Sequence, residues 1–556
     1  MDDARAVALW PSAPPAPWLR AWQRARRYRV PRWMIEQSAR HRRAGDWRGA
    51  CAAANVDVEF TLDGVAREHG TATADRLAED LRHLVPDLLR WHLPRPPGDI
   101  DLLDEHLKFV LARYGTGGPV LQVLGPPFLG GPQRLRLVLT AAPDRRARDW
   151  TGARRLFDDR HCGELIDDCG GTGRIPFFHA DGTPLTPAEL PASEPGPGDP
   201  AARAEWSILL HERGDVAGAF SAAGFELRPP ADPDELGAFM DSLRLRSGRP
   251  PVLAARVRRL AAARPAAGPG GDPVVAVVGS PYLPCVTVTV EAGGEGERLL
   301  LRPAAPGEYR TSAAPDHWRP LPDADLLLAG LITPDELHPL VRSALFPARP
   351  AADGTVGPPD PEPPGPIRVR CRGEWHEVHW SGGTLAVPHT PEEDHREQAL
   401  RALGGETYGC YTVQETWRTG QGRLPRGLRR QRRELFLRAR HGDTPGVLRL
   451  LDAGMDPHAR DGEGRTLLHL LHIMDHRLVL PRLLAAGLDV DARDRWNRTP
   501  LSTAVTEHGS PDTVRALLEA GASRDAEAGG RRGRETFAWL VRRSGREDLE
   551  PLLATP

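Results

Sequence analysis

The chain has 556 residues, room for several domains at about 100 to 200 residues each, and its 40% hydrophobic content can build cores, which excludes global disorder. Its 73 basic and 75 acidic residues leave a formal charge of −2, which argues against a protein acting through a large basic field, as nucleic-acid binders do. Six cysteines are scattered without a disulfide framework, no apolar run is long enough to span a membrane, and the start lacks a secretory pattern; we expect a cytoplasmic protein with reduced thiols.

Residues 1–265 read as a mixed helical and β region. From Pro17 to Asn55 the pattern is helical: Trp18, Trp22 and Ala25 share one face, and Arg20, Arg24 and Arg27 another. Every basic residue except Lys108 is arginine, so Trp interleaved with Arg is expected to be a packed helix with solvated arginines before it is a nucleic-acid or membrane surface. Pro31 breaks the first helix, Arg32 to Ala44 makes a second that stops at Gly45, and Asp46 caps a third. The same grammar returns at Gly214-Asp215 and at Gly442-Asp443, so helical hairpins recur along the chain. Helices follow over Thr61–His69 and over Thr73–Trp91, the latter interrupted at Pro86. Strands are expected at Leu107–Tyr114, Val120–Leu124 and Arg134–Thr140, and helices at Ala204–Leu227, Pro233–Leu245 and Val252–Ala263.

A small α/β unit is expected over 272–346, with strands at Pro273–Gly279 and Cys285–Val290 and closing helices near Ala324–Leu328 and Pro334–Leu345. Residues 347–366 form a Pro/Gly-rich linker. A small β+α module over 367–418 carries strands at Ile367–Cys371, Trp375–Trp380 and Thr384–Val387, a helix from Thr390 to Leu403, and a last strand at Cys410–Trp417. Eight arginines between Arg423 and Arg440 suggest a nucleic-acid run, yet Leu435, Leu437 and Val447 supply an apolar side, so they read as the solvated face of a helix.

No constellation in the sequence commits to chemistry. His161, Cys162, Cys169 and His179 lack the spacing of a zinc knuckle. His376 and His379 miss the metalloprotease spacing and would face opposite sides of a strand. His469, His472 and His476 share a helical face at i, i+3 and i+7, but we expect no zinc site there. Gly279-Ser280 belongs to neither a nucleophile elbow nor a phosphate loop. We therefore expect no catalytic residue, no cofactor and no bound metal, leaving as the alternative an enzyme or nucleic-acid-binding activity in the N-terminal region, built from residues distant in sequence.

The end of the chain, residues 419–556, is the most informative part. Asp461-Gly-Glu-Gly464-Arg465-Thr466-Leu467-Leu468-His469 recurs 33 residues later as Asp494-Arg-Trp-Asn497-Arg498-Thr499-Pro500-Leu501-Ser502. Leu450-Leu451-Asp452-Ala453-Gly454 likewise recurs at Leu483–Gly487 and Leu517–Gly521. Such a period means stacked units of a turn and two short helices. Gly464 and Asn497 suit a positive-φ turn position, Thr466 and Thr499 cap a helix, Pro500 opens it, and Gly454, Gly487 and Gly521 end the second one.

These motifs resemble the ankyrin repeat family, with Leu467 in place of the family's proline, Ser502 in place of its histidine, and a Gly/Arg-rich insertion at Glu527–Arg534. The resemblance, which covers only the last quarter of the chain, implies a C-terminal α-solenoid; together with the patterns read above we expect a multidomain α+β protein whose mixed α/β N-terminal region precedes it. It also implies a protein partner, not identifiable from the sequence, met by the turn tips and inner helices. At the tips, Trp496 with Arg493, Arg495 and Arg498, and Arg460, Glu463 and Arg465 one unit earlier, have the composition of an interaction hot spot.

Overall fold

The computed structural model describes residues 17–96, 98, 100–196, 198–246, 250–263, 274–278, 286–293, 296–304, 321–350, 356–404, 409–525 and 536–553. Gly279-Ser280, the insertion at Glu527–Arg534 and residues 351–355 of the expected linker lie outside them. The chain divides into two compact units. One comprises residues 1–101, 107–124 and 136–358, the other residues 102–106, 125–135 and 359–556.

In the first unit, helix Arg32–Arg43 turns at Gly45 into helix Trp47–Ala53, and strand β1 (Val56–Val58) follows. Helices Leu62–His69 and Thr71–His83 come next, then a short helix Pro86–His92, because Pro86 cannot continue the hydrogen-bond ladder. Strands β2 (Lys108–Arg113), β3 (Val120–Leu124) and β4 (Leu135–Thr140) form an antiparallel meander, and β5 (Arg148–Asp149) adds a short edge; the order is β1-β4-β3-β2-β5.

The same arrangement then returns. From Gly45 to Gly214, 169 residues on, a hairpin of helices Pro200–Glu212 and Val216–Ala222 again precedes an edge strand, β6 (Phe225–Leu227). Two helices again follow, Pro233–Arg246 and Pro250–Ala263, and again an antiparallel meander: β7 (Val274–Val278), β8 (Val286–Gly293) and β9 (Gly296–Pro303). Its order, β6-β9-β8-β7, reproduces β1-β4-β3-β2. The backbone agrees in detail: Glu59 N–H donates to the Leu137 carbonyl (3.0 Å), and Arg228 N–H, 169 residues later, donates to the Leu301 carbonyl (2.8 Å). The first unit therefore contains one α+β design twice, which is why β6, from before residue 265, joins a sheet with strands from beyond 272.

This unit differs from expectation at four places. Trp18 is 45% exposed, while Trp22 and Ala25 are buried with Leu19 and Ala21. The arginines of the first helix are not all solvated: Arg24 pairs with Asp101 at 2.6 Å, and Arg26 is buried in a two-pronged pair with Asp323 (2.8 and 2.7 Å). Asp323 opens helix Pro322–Leu328 at its acidic first turn, and His338 caps helix Pro339–Leu345 while bonding the buried Asp87 at 2.9 Å. These two helices were expected to close the second sheet; the buried pairs instead tie them to the N-terminal helices. The expected helix Ala204–Leu227 is likewise two helices and β6.

In the second unit, strands β10 (Ile367–Cys371), β11 (Glu374–Ser381) and β12 (Thr384–Ala386) pair antiparallel through two-residue turns, Arg372-Gly373 and Gly382-Gly383, all four at positive φ as a primed hairpin turn requires. Helix Pro391–Ala402 follows. Residues Cys410–Thr419 are a helix, where a strand was expected. Their β-branched and aromatic content misleads, whereas the buried positions Cys410, Val413, Thr416 and Trp417 follow the helical period.

Helix pairs then run to the end: Arg426–Arg440 with Thr444–Asp452, a 3-10 turn Leu467–Leu470 with His476–Ala485, Pro500–Thr506 with Pro511–Glu519, and Phe537–Arg543 with a 3-10 turn Glu547–Leu552. Pro500 pre-sets φ for a full helix, and its counterpart Leu467 heads only a 3-10 turn. One core runs from Val378, Trp380 and Trp417 through Leu435, Val447, Leu468, Leu501 and Leu517 to Leu549, so the small sheet and the repeats are packed as one body. No helix among the described residues is long and apolar enough to cross a membrane.

Candidate partner-binding surface

The repeat tips are built by one aspartate each. Asp461 accepts backbone N–H groups from Glu463 (2.8 Å) and Arg465 (2.9 Å) on one oxygen and the Arg465 guanidinium on the other (2.8 Å). Asp494 does the same for Trp496 (2.8 Å), Arg498 (2.8 Å) and the Arg498 guanidinium (2.8 Å). Gly464 and Asn497 take the left-handed position, at φ 74° and 61°. A carboxylate bonded in this way fixes the loop without help from the core.

The tips are joined to one another. Arg495 N–H donates to the Glu463 carbonyl (2.9 Å), and the Arg460 guanidinium spans both, donating to the carbonyls of Gly464 (2.6 Å) and Arg493 (2.7 Å). Below them, His469 accepts from the Thr466 N–H at Nδ1 (3.1 Å), which leaves Nε2 to donate to the Arg498 carbonyl of the next tip (3.0 Å). Ser502 repeats the local bond to the Thr499 N–H (2.9 Å). On this frame Trp496 is 54% exposed, with the Arg495 guanidinium 4.7 Å from its ring centre. Arg493 donates to the Asn497 side chain (2.7 Å). All seven expected tip residues therefore lie on two adjoining, hydrogen-bonded turns: Arg460, Glu463 and Arg465 on one, Arg493, Arg495, Trp496 and Arg498 on the next.

A second surface of the repeats was not foreseen. The segment Gly125–Leu135, which belongs to this unit, lies against the ends of the inner helices far from the tips. His472 Nε2 donates to the Gly130 carbonyl (3.1 Å), and Phe128 stacks on His508 at 4.9 Å. A Cβ at Gly130 would meet a Glu507 carboxylate oxygen at 2.5 Å, and one at Gly131 the Glu507 carbonyl at 2.8 Å, so the glycine pair permits the approach. Burial pushes His469 and His472 each down to about 4, which keeps both neutral near pH 7, and raises the Glu507 carboxyl above its ordinary range. Gly130-Gly131 in an otherwise apolar loop is the only trace of this contact in the sequence.

Residues 435–528 match the family model for ankyrin repeats, in three copies. That stretch is an ankyrin-repeat region, and regions of this kind bind proteins. No curated protein matches the chain.

His469, His472 and His476 turn to separate partners, the last to Thr513 at 3.2 Å. His161 pairs with Glu164 (2.8 Å), Cys162 donates to the Asp158 carbonyl (3.2 Å) and His179 pairs with Glu189 (3.3 Å), so that group does not converge. In the first unit Ser38 donates to Asp87 at 2.7 Å and His338 bonds the same carboxylate, but the aspartate stands between the other two and all three are buried, an arrangement that holds helices together and offers no nucleophile a base. A cavity of about 360 Å³ in that unit is lined by Asp167, Thr172, Arg203 and Arg258 and contains none of these buried groups. Of the arginine run, Arg429, Arg430 and Arg433 are exposed, while Arg438 is buried against Asp443 at 2.5 Å. His379 is exposed and turned away from His376, whose neighbours are Cys371, His389 and Cys410.

Proposed function

We propose that the protein is a cytoplasmic interaction or scaffold protein, whose ankyrin repeats form a short α-solenoid that binds a partner protein through the two adjoining tips. The observation that carries this reading is Trp496. A half-exposed indole on a turn immobilised by the Asp494 bonds, flanked by Arg493, Arg495 and Arg498, offers apolar area and directed charge at low entropic cost. Arg460, Glu463 and Arg465 extend the surface by one unit, and the mixed charge of the two tips suits a partner with both acidic and apolar groups. At their far end the inner helices are met by residues 125–135 of the same chain, through Gly130 and Phe128, whereas the tips expose Trp496.

Affinity capture from native extract with the intact protein and with Trp496→Ala tests the reading. A hot-spot tryptophan should cost about 2 kcal/mol or more of binding, roughly a thirtyfold loss, while an exposed side chain leaves stability within about 0.5 kcal/mol. Equal capture by both proteins, with equal melting curves, would remove the tips from consideration.

A further inference from the structure

We propose that Cys371, His376, His389 and Cys410 form a structural zinc site at the head of the repeat array. The four come from four elements: the end of β10, the body of β11, the segment after β12, and the first turn of helix Cys410–Thr419. Their ligand atoms all lie within 4.8 Å of one another. Cys371 Sγ is 3.7 Å from His389 Nε2, and Cys410 Sγ is 3.6 Å from His376 Nδ1. Tetrahedral zinc, with bonds of about 2.3 Å to sulfur and about 2.0–2.1 Å to nitrogen, sets sulfur and nitrogen about 3.5 Å apart. Two sulfurs and two imidazoles are a closed donor set that favours zinc over the hard cations and leaves no position for substrate.

Three neighbouring features suit this role. His389 Nδ1 lies 3.2 Å from the Glu393 carboxylate, an arrangement that orients the ring and turns the Nε2 lone pair toward the thiols, as carboxylates behind zinc-bound histidines do. Glu393 is itself held by the Thr390 N–H at 3.1 Å. Gly409, at φ 60°, brings Cys410 onto the hairpin: a Cβ there would meet Cys371 Sγ at 2.4 Å. Both cysteines are buried free thiols. On binding Zn²⁺ each sulfur would release its proton to solvent and keep the electron pair, so two thiolates neutralise the ion.

The site would staple the small sheet to helix Cys410–Thr419, which immediately precedes the array. That helix reaches the first tip, since its Trp417 carbonyl accepts from the Arg460 N–H at 3.1 Å. The cluster escapes sequence inspection because its spacings, Cys-x4-His-x12-His-x20-Cys, match no short motif, and the sequence invites comparison of His376 with His379 alone.

The test uses the full chain purified under reducing conditions, with elemental analysis for zinc and a Co²⁺ titration of the chelator-treated protein. We expect one zinc per chain, and one equivalent of cobalt giving thiolate-to-metal charge transfer and the intense visible bands of a tetrahedral centre. Cys410→Ser should lose the metal, Cys51→Ser should retain it, and Glu393→Gln should weaken zinc in competition with a chelator about 10- to 100-fold. Wild-type protein with reduced thiols that takes up neither metal overturns the proposal without reference to any variant. A Cys371–Cys410 disulfide in fresh protein, or full zinc retention by Cys410→Ser, overturns it equally.

Discussion

The repeat array and the N-terminal unit are both built by repetition, and only one of them announces it. In the array the same residues return after 33 or 34 positions, because each tip must solve the same local problem: a turn at positive φ, an aspartate to satisfy its amides, and a threonine to cap the next helix. In the N-terminal unit the design of hairpin, edge strand, two helices and meander returns after 169 residues with the same strand order and almost none of the same residues. A sheet asks of its strands only that the right face be apolar, which many sequences meet. Backbone-satisfying turn chemistry preserves a signature that packing erases.

The comparison predicts where each region is fragile, and the largest effect belongs to the N-terminal unit. Its order depends on partners far apart in sequence, above all Arg26 and Asp323, both buried. Burial alone would raise the Asp323 carboxyl, but the guanidinium outweighs it and holds the group below its ordinary range. Asp323→Ala leaves a guanidinium buried without its counterion and should cost about 3–5 kcal/mol, read by urea unfolding with hydrogen exchange to locate the loss around Arg26 and Trp91. A cost below about 1 kcal/mol, the level of an exposed pair such as Arg495 with Glu463, would mean that this unit does not depend on its long-range pairs.

The array should fail in acid. His469 and His472 sit near 4 in the folded protein and near 6.5 unfolded, so the unfolded chain takes up protons first as pH falls. Their contribution is complete above about 6.5 and is lost toward 4, at about 2 kcal/mol per histidine between pH 7 and pH 5. The urea midpoint of the array should drop over that interval. His472→Gln, which can still donate to the Gly130 carbonyl, should flatten the slope by about half. A slope unchanged in that variant would locate the acid sensitivity elsewhere.

How much could be read from the sequence follows the same division. The repeat tips, on which the seven candidate residues stand, were legible as turns because Asp461 and Asp494 bond only within five residues of themselves; of the seven, Arg493, Arg495 and Trp496 are exposed and the other four half-buried. The helix Cys410–Thr419 was read as a strand because Val413 and Trp417 suit both periods over so short a span. Helices Pro322–Leu328 and Pro339–Leu345 were assigned to the wrong sheet because their attachments, Asp323 to Arg26 and His338 to Asp87, span hundreds of residues. The group Cys371, His376, His389 and Cys410 was invisible for a different reason: it lies within 40 residues, but its spacings match no short motif, and the hairpin and the helix at Cys410 must form before the four side chains meet.

One helix-capping device is shared by both units. Asp46, Asp215 and Asp443 each cap a helix by accepting the N–H of a glycine three residues on, Gly49 (2.8 Å), Gly218 (2.9 Å) and Gly446 (2.9 Å). A Cβ on those glycines would meet the capping carboxylate at 2.1, 2.3 and 2.2 Å. Elsewhere in a helix Gly→Ala stabilises by up to about 1 kcal/mol; here the methyl group must expel the cap, so the sign reverses. Each Gly→Ala should destabilise by about 1 kcal/mol, with Gly446→Ala the most costly because Asp443 also holds the buried Arg438. Three equal signs, two in the first unit and one in the second, would mean that a short cap-and-glycine rule governs hairpins in both regions. A stabilising Gly49→Ala would mean that the exposed copy keeps its glycine for no structural reason, and that the rule acts only where the cap is buried.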